Sequence, residues 1–119
     1  MESNILLYSS DSGEVSVQVR YEDGTFWLTQ KRMAELFSVD VRTVNEHLQN
    51  IFASGEMSEE GTIRKIRIVQ MEGKRKVERN VTFYPLEAII AVGYRVNSEQ
   101  ATHFRQWATK TLNTFITKG

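Results

Sequence analysis

The length, composition and charge of the sequence are those of one ordinary globular domain, and they exclude several kinds of function. The chain has 119 residues, 40% of them apolar and 25% charged, with a formal net charge of zero, which are values typical of folded globular proteins. It has no cysteine and two separated histidines, His47 and His103, so we expect no disulfide, no metal site and no cofactor. No apolar run approaches the roughly 20 residues that cross a bilayer, and no signal peptide is recognisable, so we expect a cytoplasmic protein.

Charge is distributed unevenly along the chain. Lys and Arg number four against eleven Asp and Glu over residues 1–61, seven against two over residues 62–80, and four against two over residues 81–119. The local net charges are therefore −7, +5 and +2. A short basic stretch in a chain that is otherwise acidic or nearly neutral favours a polyanionic partner such as nucleic acid.

Residues 4–28 predict an amino-terminal β-hairpin. Ile5–Tyr8 forms the first strand, and the alternation of valines in Val15–Tyr21 marks the second. Asp11-Ser12-Gly13 supplies the turn between them. A further turn, Glu22-Asp23-Gly24, leads into the apolar run Phe26-Trp27-Leu28, which we expect to anchor the hairpin to the elements that follow.

Residues 29–54 predict a helix-turn-helix. Thr29 suits the N-cap of a helix over Gln30–Phe37, and Asp40 suits the N-cap of a second helix from Val41 to about Phe52. Ala34 and Val44 provide the small and apolar residues that let two such helices cross closely. Ser38 stands in the turn where glycine is commoner, because that position often requires a left-handed backbone.

The second helix of a helix-turn-helix lies in the major groove of DNA. The residues that face outward there have donors and acceptors that match base edges; they are Arg42, Thr43, Asn45, Glu46 and Gln49. Arginine suits guanine, asparagine and glutamine suit adenine, glutamate suits cytosine, and threonine suits phosphate or a thymine methyl group. The alternative interpretation is a solvated face on a structural helix pair.

Residues 62–84 predict a second, basic hairpin. Its strands are Thr62–Gln70 and Arg75–Tyr84, joined by a turn over Met71–Lys74. Seven cations lie on it: Arg64, Lys65, Arg67, Lys74, Arg75, Lys76 and Arg79. Such a hairpin after a helix-turn-helix can act as a wing that grips phosphates. The alternative is a charged strand edge that protects against aggregation.

Residues 85–118 predict two closing helices. Pro85 suits the first position of one helix, and Gly93 suits its terminator. Ser98 suits the cap of a longer helix with an apolar stripe at helical spacing: Ala101, Phe104, Trp107, Ala108, Leu112, Phe115 and Ile116. A stripe of this width indicates core, and a dimer interface is the alternative.

The sequence contains no pattern typical of an enzyme. It lacks a glycine-rich phosphate loop, and Ser98-Glu99 with His103 is better explained by a helix cap followed by a surface histidine than by a hydrolytic site. We therefore expect no catalytic activity from this chain.

Five stretches of the sequence carry a family likeness. They are Thr25–Gln30, Met33–Phe37, Val44–Phe52, Val92–Val96 and Phe104–Thr109. In this order they closely resemble the amino-terminal part of the RhuM family, which are virulence-associated proteins of bacterial genomic islands. The last stretch is also similar to the end of Bro-N and phage antirepressor domains, where a Phe-Arg-x-Trp sequence opens the closing helix.

The resemblance implies a DNA-binding domain and carries over no catalytic residue. RhuM proteins are usually longer than this chain, which suggests that it is a fragment of a longer protein. Together with the residue patterns, we expect a single α+β, winged-helix-like domain over residues 1–119 that binds duplex DNA and regulates transcription in a virulence or phage-derived locus. The alternatives are a protein-interaction or homodimerisation module, and a domain that targets an enzyme elsewhere in the protein.

Overall fold

The protein is an α+β domain in which helices cover one face of a five-stranded antiparallel sheet. The computed structural model describes residues 4–10 and 12–118, and the side chains of residues 5–10 and 12–114. The elements in chain order are β1 (Asn4–Ser9), β2 (Ser16–Glu22), β3 (Thr25–Leu28), α1 (Gln30–Phe37), α2 (Val41–Ala53), α3 (Glu59–Thr62), β4 (Arg64–Glu72), β5 (Arg75–Pro85), α4 (Leu86–Val96) and α5 (Ser98–Lys118).

The two predicted hairpins belong to one sheet, with strand order β1-β2-β3-β5-β4. The short strand β3 joins them, because it pairs with β2 on one side and with β5 on the other. Its pairing with β5 comprises two positions, Trp27 with Pro85 and Leu28 with Tyr84. Beyond that point β4 and β5 continue as a two-stranded ribbon (residues 64–83) that leaves the body of the sheet.

The core lies between the sheet and the helices. Val17 and Val19 of β2 are fully buried, as are Phe26 of β3 and Phe104 of α5. Trp107 of α5 stacks on Phe26 with 5.0 Å between the ring centroids. Strand alternation therefore sends one set of side chains towards the helices and the other set to a face that none of the described helices covers. We call these the helix side and the helix-free face of the sheet.

The helix pair follows the predicted bounds closely. Thr29 caps α1, its hydroxyl accepting a hydrogen bond from the Arg32 amide at 3.2 Å. Ser38 adopts the left-handed conformation expected of glycine, with φ of 57°, and the next amide, of Val39, donates to the carbonyl of Ala34 at 3.0 Å. This closes α1 and lets the chain turn directly into α2. Asp40 occupies the N-cap of α2 without a side-chain capping bond.

Two predictions about the closing helices were wrong. Gly93 does not terminate α4, which continues to Val96; a Cβ on Gly93 would lie 2.6 Å from Phe37 Cζ and 2.7 Å from Ala101 Cβ. The glycine is needed for close approach of α1, α4 and α5. The cap of α5 is Asn97, whose side-chain oxygen accepts from the Gln100 amide, and not Ser98, which is already the first helical residue.

The boundaries of the other predicted elements shift by a few residues. Pro85 is the last residue of β5 and caps α4. The turn of the basic hairpin shrinks to Gly73-Lys74, because Gly73 takes a positive φ of 64° and lets Glu72 pair with Arg75. The short helix α3, which includes Thr62, was not predicted.

The apolar stripe of α5 is core wherever its side chains are described. Ala101, Phe104 and Ala108 are fully buried, and Trp107 and Leu112 pack against the same core. The prediction that Phe115 and Ile116 continue the stripe lies outside the described side chains, as Asp11 of the first predicted turn lies outside the described residues.

Candidate nucleic-acid interface

Helix α2 presents the predicted base-reading residues on its outer surface. Val44, Leu48 and Ile51 are buried, which fixes the rotation of the helix against the core. The opposite side is consequently exposed, and it carries Arg42, Asn45, Glu46 and Gln49, with Thr43 half-buried beside them. All five side chains of the predicted reading set therefore lie on or at the border of one accessible surface.

The charges on this helix surface compensate each other. Arg42 and Glu46 are one helical turn apart and form an ion pair at 3.5 Å, with the Arg42 side chain 90% exposed. An exposed pair of this kind contributes little to stability and separates easily. The helix thus offers specific hydrogen-bonding groups but no net charge from these two residues, so attraction to phosphate must come from elsewhere.

Gln30 connects α2 to the root of the ribbon. Its side-chain amide donates to Asn45 Oδ1 at 3.1 Å and to the Tyr84 hydroxyl at 3.0 Å. Phe52 of α2 also stacks on Tyr84, with 6.5 Å between ring centroids. The outer surface of α2 therefore adjoins the helix side of β5. In a bidentate contact with adenine, Asn45 Oδ1 would accept from the base with the same atom that accepts from Gln30, and an amide oxygen has two lone pairs for such bonds.

The seven cations of the basic hairpin divide between the two faces of the ribbon. Tyr84 points to the helix side, and directly paired residues of antiparallel strands share a face. Counting along the register, the helix-side residues of the ribbon are Lys65, Arg67, Val69, Met71, Lys76, Glu78, Asn80 and Thr82. The helix-free face receives Arg64, Arg75 and Arg79, while Lys74 lies in the turn.

The helix-side cations are accessible. Lys65, Arg67 and Lys76 are all exposed, and Arg67 has an exposed partner in Glu78 at 3.6 Å. They lie on the same side of the sheet as α2. The structure thus brings three of the predicted phosphate-binding residues to the side of the predicted base-reading helix.

Arg64 is held in a separate cluster on the helix-free face. Its guanidinium lies over the Trp27 ring, 4.4 Å from the centroid, and contacts Glu22 at 2.9 Å and Asp23 at 2.7 Å. The hydrogen bond to Glu22, assisted by Asp23, raises the pKa of Arg64 above its usual value. These contacts join β4 to the β2–β3 turn, so the side chain serves the fold and is turned away from α2.

Two other cations lie on the helix-free face. Arg79 forms an ion pair with Glu72, and Arg75 lies beside the turn. The sequence did not reveal Gln30 and Tyr84 as connecting residues, because their contact spans 54 positions. The alternation of the strands was a usable signal for sorting the cations, since it separates Arg64 from Lys65 and Arg67.

None of the helices in the described part of the chain has the length and apolar character to cross a membrane. Within residues 4–10 and 12–118, no three His, Asp or Glu side chains gather as metal ligands would.

Comparison with known proteins yields a family match over the second half of the chain. Residues 61–119 match the family described as "Virulence protein RhuM family". Two of the five stretches that suggested this family, Val92–Val96 and Phe104–Thr109, lie in the matched region, and the other three lie before it. No curated protein and no solved structure matches the chain.

Proposed function

We propose, for a chain that belongs to the RhuM family of virulence proteins through residues 61–119, that this domain binds duplex DNA. Helices α1 and α2 act as a helix-turn-helix, with α2 in the major groove. The ribbon acts as its wing and contacts the neighbouring phosphates. Transcriptional regulation in a virulence or phage-derived locus is the role that such a domain would serve.

The observation that carries this proposal is that α2 and three cations of the ribbon lie on the same side of the sheet. Gln30 bonds both Asn45 on α2 and Tyr84 at the root of the ribbon, and Tyr84 defines the side on which Lys65 and Arg67 lie. A helix with base-matching side chains beside a cationic ribbon fits the division of labour in DNA recognition, where base contacts specify and phosphate contacts position.

The roles differ between the two elements. Arg42, Asn45 and Gln49 are expected to discriminate bases, since each can make paired hydrogen bonds to a purine edge. Lys65, Arg67 and Lys76 are expected to bind phosphate without regard to sequence. The side chains of the ribbon are exposed and many are charged, which suits contact with the wall of a DNA groove better than packing in a protein core.

The proposal is tested by comparing substitutions on the two faces of the ribbon. Duplexes are selected from a random pool, and affinity for the selected duplex is followed by fluorescence anisotropy over a range of salt concentrations. One variant carries Lys65→Gln, Arg67→Gln and Lys76→Gln, and a control carries Arg75→Gln and Arg79→Gln on the opposite face. The first should lose affinity for all duplexes and flatten the salt dependence, by about 0.9 in log–log slope for each phosphate contact removed; the control should change much less.

Base reading has its own test. Arg42→Ala and Asn45→Ala should each relax preference at one or two base pairs, at a cost of about 1 to 3 kcal/mol, and Lys65→Gln should leave the selected sequence unchanged. If no duplex binds, the proposal is wrong. If the chain instead associates with a protein in a salt-insensitive manner that survives all these changes, the domain is an interaction module.

A further inference from the structure

A groove of about 400 Å³ opens on the helix-free face, away from the surface proposed to bind DNA. It lies where β3 ends and the chain enters α1, so that the body hairpin β1–β2 and the ribbon β4–β5 diverge on either side of it. Three parts of the molecule form its walls: Ile5, Gln18 and Arg20 from β1 and β2; Thr29, Lys31 and Arg32 from the start of α1; Ile68, Gln70, Val81 and Phe83 from the ribbon. Its volume is within the range of small-molecule sites.

The groove has an apolar floor and a cationic wall. Trp27 and Phe83 are both more than nine-tenths buried and contribute aromatic surface, and Ile68 and Val81 extend it along the ribbon. Arg20, Lys31 and Arg32 supply positive charge, and none of the described residues that line the groove is acidic. Apolar surface beside fixed cations matches a ligand with an apolar body and an anionic end.

The nearby ion pairs indicate how much charge the ligand carries. Arg32 is paired with Glu35, and Arg20 and Arg64 share Glu22, with Asp23 as a second partner of Arg64. These three arginines together with Lys31 carry four positive charges, and the three carboxylates carry three negative charges, which leaves one positive charge unbalanced. A single negative charge completes the local balance.

Arg20 has a donor without a partner. Its Nε atom is buried and makes no hydrogen bond to any residue that the structure describes, and the closest approach of its ion-pair partner Glu22 is 3.7 Å. The guanidinium lies over the Phe83 ring, 5.3 Å from its centroid, at the wall of the groove. Buried donors are normally satisfied, so the hydrogen bonding of this guanidinium is incomplete, and a carboxylate in the groove would contact the one-fifth of the Arg20 side chain that is exposed.

The geometry points to a binding site for a small organic monoanion with an aromatic or aliphatic body, such as a monocarboxylate. The carboxylate binds near Arg20 and Lys31, and the body lies on Phe83, Val81 and Ile68. Because these residues belong to the body hairpin, to α1 and to the ribbon, the ligand ties the ribbon to the rest of the domain. The inference is independent of DNA binding.

The test uses the free chain with two carboxylates, 4-phenylbutanoate and octanoate, and their neutral amides. Binding is measured by calorimetry, and the site is located by amide chemical shifts. We expect saturable binding of at least one acid with a millimolar or lower Kd, at least tenfold weaker binding of its amide, and shifts at Arg20, Lys31 and Val81. Amide exchange in the ribbon should slow, since ligand binding suppresses local opening.

Substitutions distinguish binding of the acid in the groove from nonspecific binding elsewhere on the protein. Arg20→Gln and Lys31→Gln should each weaken binding at least threefold, and Gln18→Trp should block the groove, whereas Arg75→Gln on the same face but outside the groove should change nothing. Lys31 is exposed, so its variant keeps the test interpretable if Arg20→Gln unfolds. Equal binding of acid and amide, indifference to both cation substitutions, or absence of saturable binding by both acids up to about 10 mM, well above a millimolar Kd, would overturn the inference.

Discussion

At the scale of single residues, the backbone at Ser38 is strained, as the sequence indicated by placing serine at a turn position that favours glycine. Serine adopts φ of 57° there, in a region that costs a residue with a side chain about 1 kcal/mol or more. The turn nevertheless closes because the amides of Ser38 and Val39 both bond to Ala34. The geometry of the helix pair thus outweighs the preference of the residue.

Replacing Ser38 with glycine should stabilise the domain. Relief of the left-handed strain exceeds the extra freedom that glycine gives the unfolded chain, so we expect a gain of about 0.5 kcal/mol in the free energy of unfolding, measured in urea. Ser54→Gly is the matched control: Ser54 also ends a helix but has an ordinary φ of −76°, and its hydroxyl bonds the Ile51 carbonyl. The control should lose stability, and a loss in both variants would contradict the strain argument.

At Gly93 a substitution should have the opposite effect and lower the stability of the domain. Alanine there gains about 1 kcal/mol of helix propensity but places its methyl group against Phe37 and Ala101, at 2.6 and 2.7 Å. Overpacking of that kind costs about 1 to 3 kcal/mol, so Gly93→Ala should be destabilising on thermal or urea unfolding. Gly61→Ala, whose new Cβ would have Ser58 Oγ as its nearest neighbour at 3.9 Å, should be neutral or stabilising. Equal effects would mean that α4 and α5 do not approach as described.

At the scale of elements, the ribbon depends on its attachment to the β2–β3 turn. Arg64 makes that attachment through Trp27, Glu22 and Asp23, with its side chain about one-third exposed. Arg67 lies three residues further along β4 on the other face, and among the described residues its ion-pair partner is the exposed Glu78. Two arginines three positions apart therefore have different structural roles.

Arg64→Gln should destabilise the domain by about 1 to 2 kcal/mol, since it removes a cation–π contact and leaves two carboxylates without this partner. Arg67→Gln should stay within about 0.5 kcal/mol of the unmodified protein, as is usual for exposed positions. Urea unfolding measures both. If the two variants lose equal stability, Arg64 does not anchor the ribbon; if Arg64→Gln alone weakens DNA binding at full folding, its role is in the interface instead.

At the scale of the whole molecule, the distal part of the ribbon (residues 69–78) extends from a body whose core is formed by other elements. The core residues belong to β1–β3, to the helices and to the base of β5. Only two pairs of residues join β5 to β3, and both lie at the end of β5. Folding of the body and function of the ribbon should therefore be separable.

Removal of the distal ribbon tests this separation. A variant that deletes residues 69–78 and joins Ile68 to Arg79 by an Asn-Gly turn keeps the observed pairing of these two residues, which is of the same hydrogen-bonded type as the Glu72–Arg75 pair at the natural turn. It should retain the near-ultraviolet circular dichroism of the buried aromatic cluster and unfold in one cooperative step. Because Lys76 is lost while Lys65 and Arg67 remain, the proposed affinity for DNA should fall only in part, with a salt dependence flatter by about one phosphate contact. A variant with the same residues replaced by a polar hairpin of equal length controls for chain length. Unfolding of the short variant would show that the ribbon is part of the core.

The sequence alone determined the elements whose signals are local. Thr29 and the apolar spacing after it fixed α1, the alternating valines fixed β2, and the concentration of positive charge marked the ribbon. These features depend on neighbours within a turn or two of the chain, so period and capping chemistry suffice to identify them. The outer residues of α2 followed as well, because its buried residues fix the opposite side.

The tertiary structure alone decided which of these features meet. Pairing of β3 with β5 merged two predicted hairpins into one sheet, and that register assigned Arg64 to one face and Lys65 and Arg67 to the other. It also turned the apparent terminator Gly93 into a contact point between helices, and opened the groove beside Arg20. Such outcomes depend on contacts between residues far apart in the chain, whose free energies no local pattern encodes.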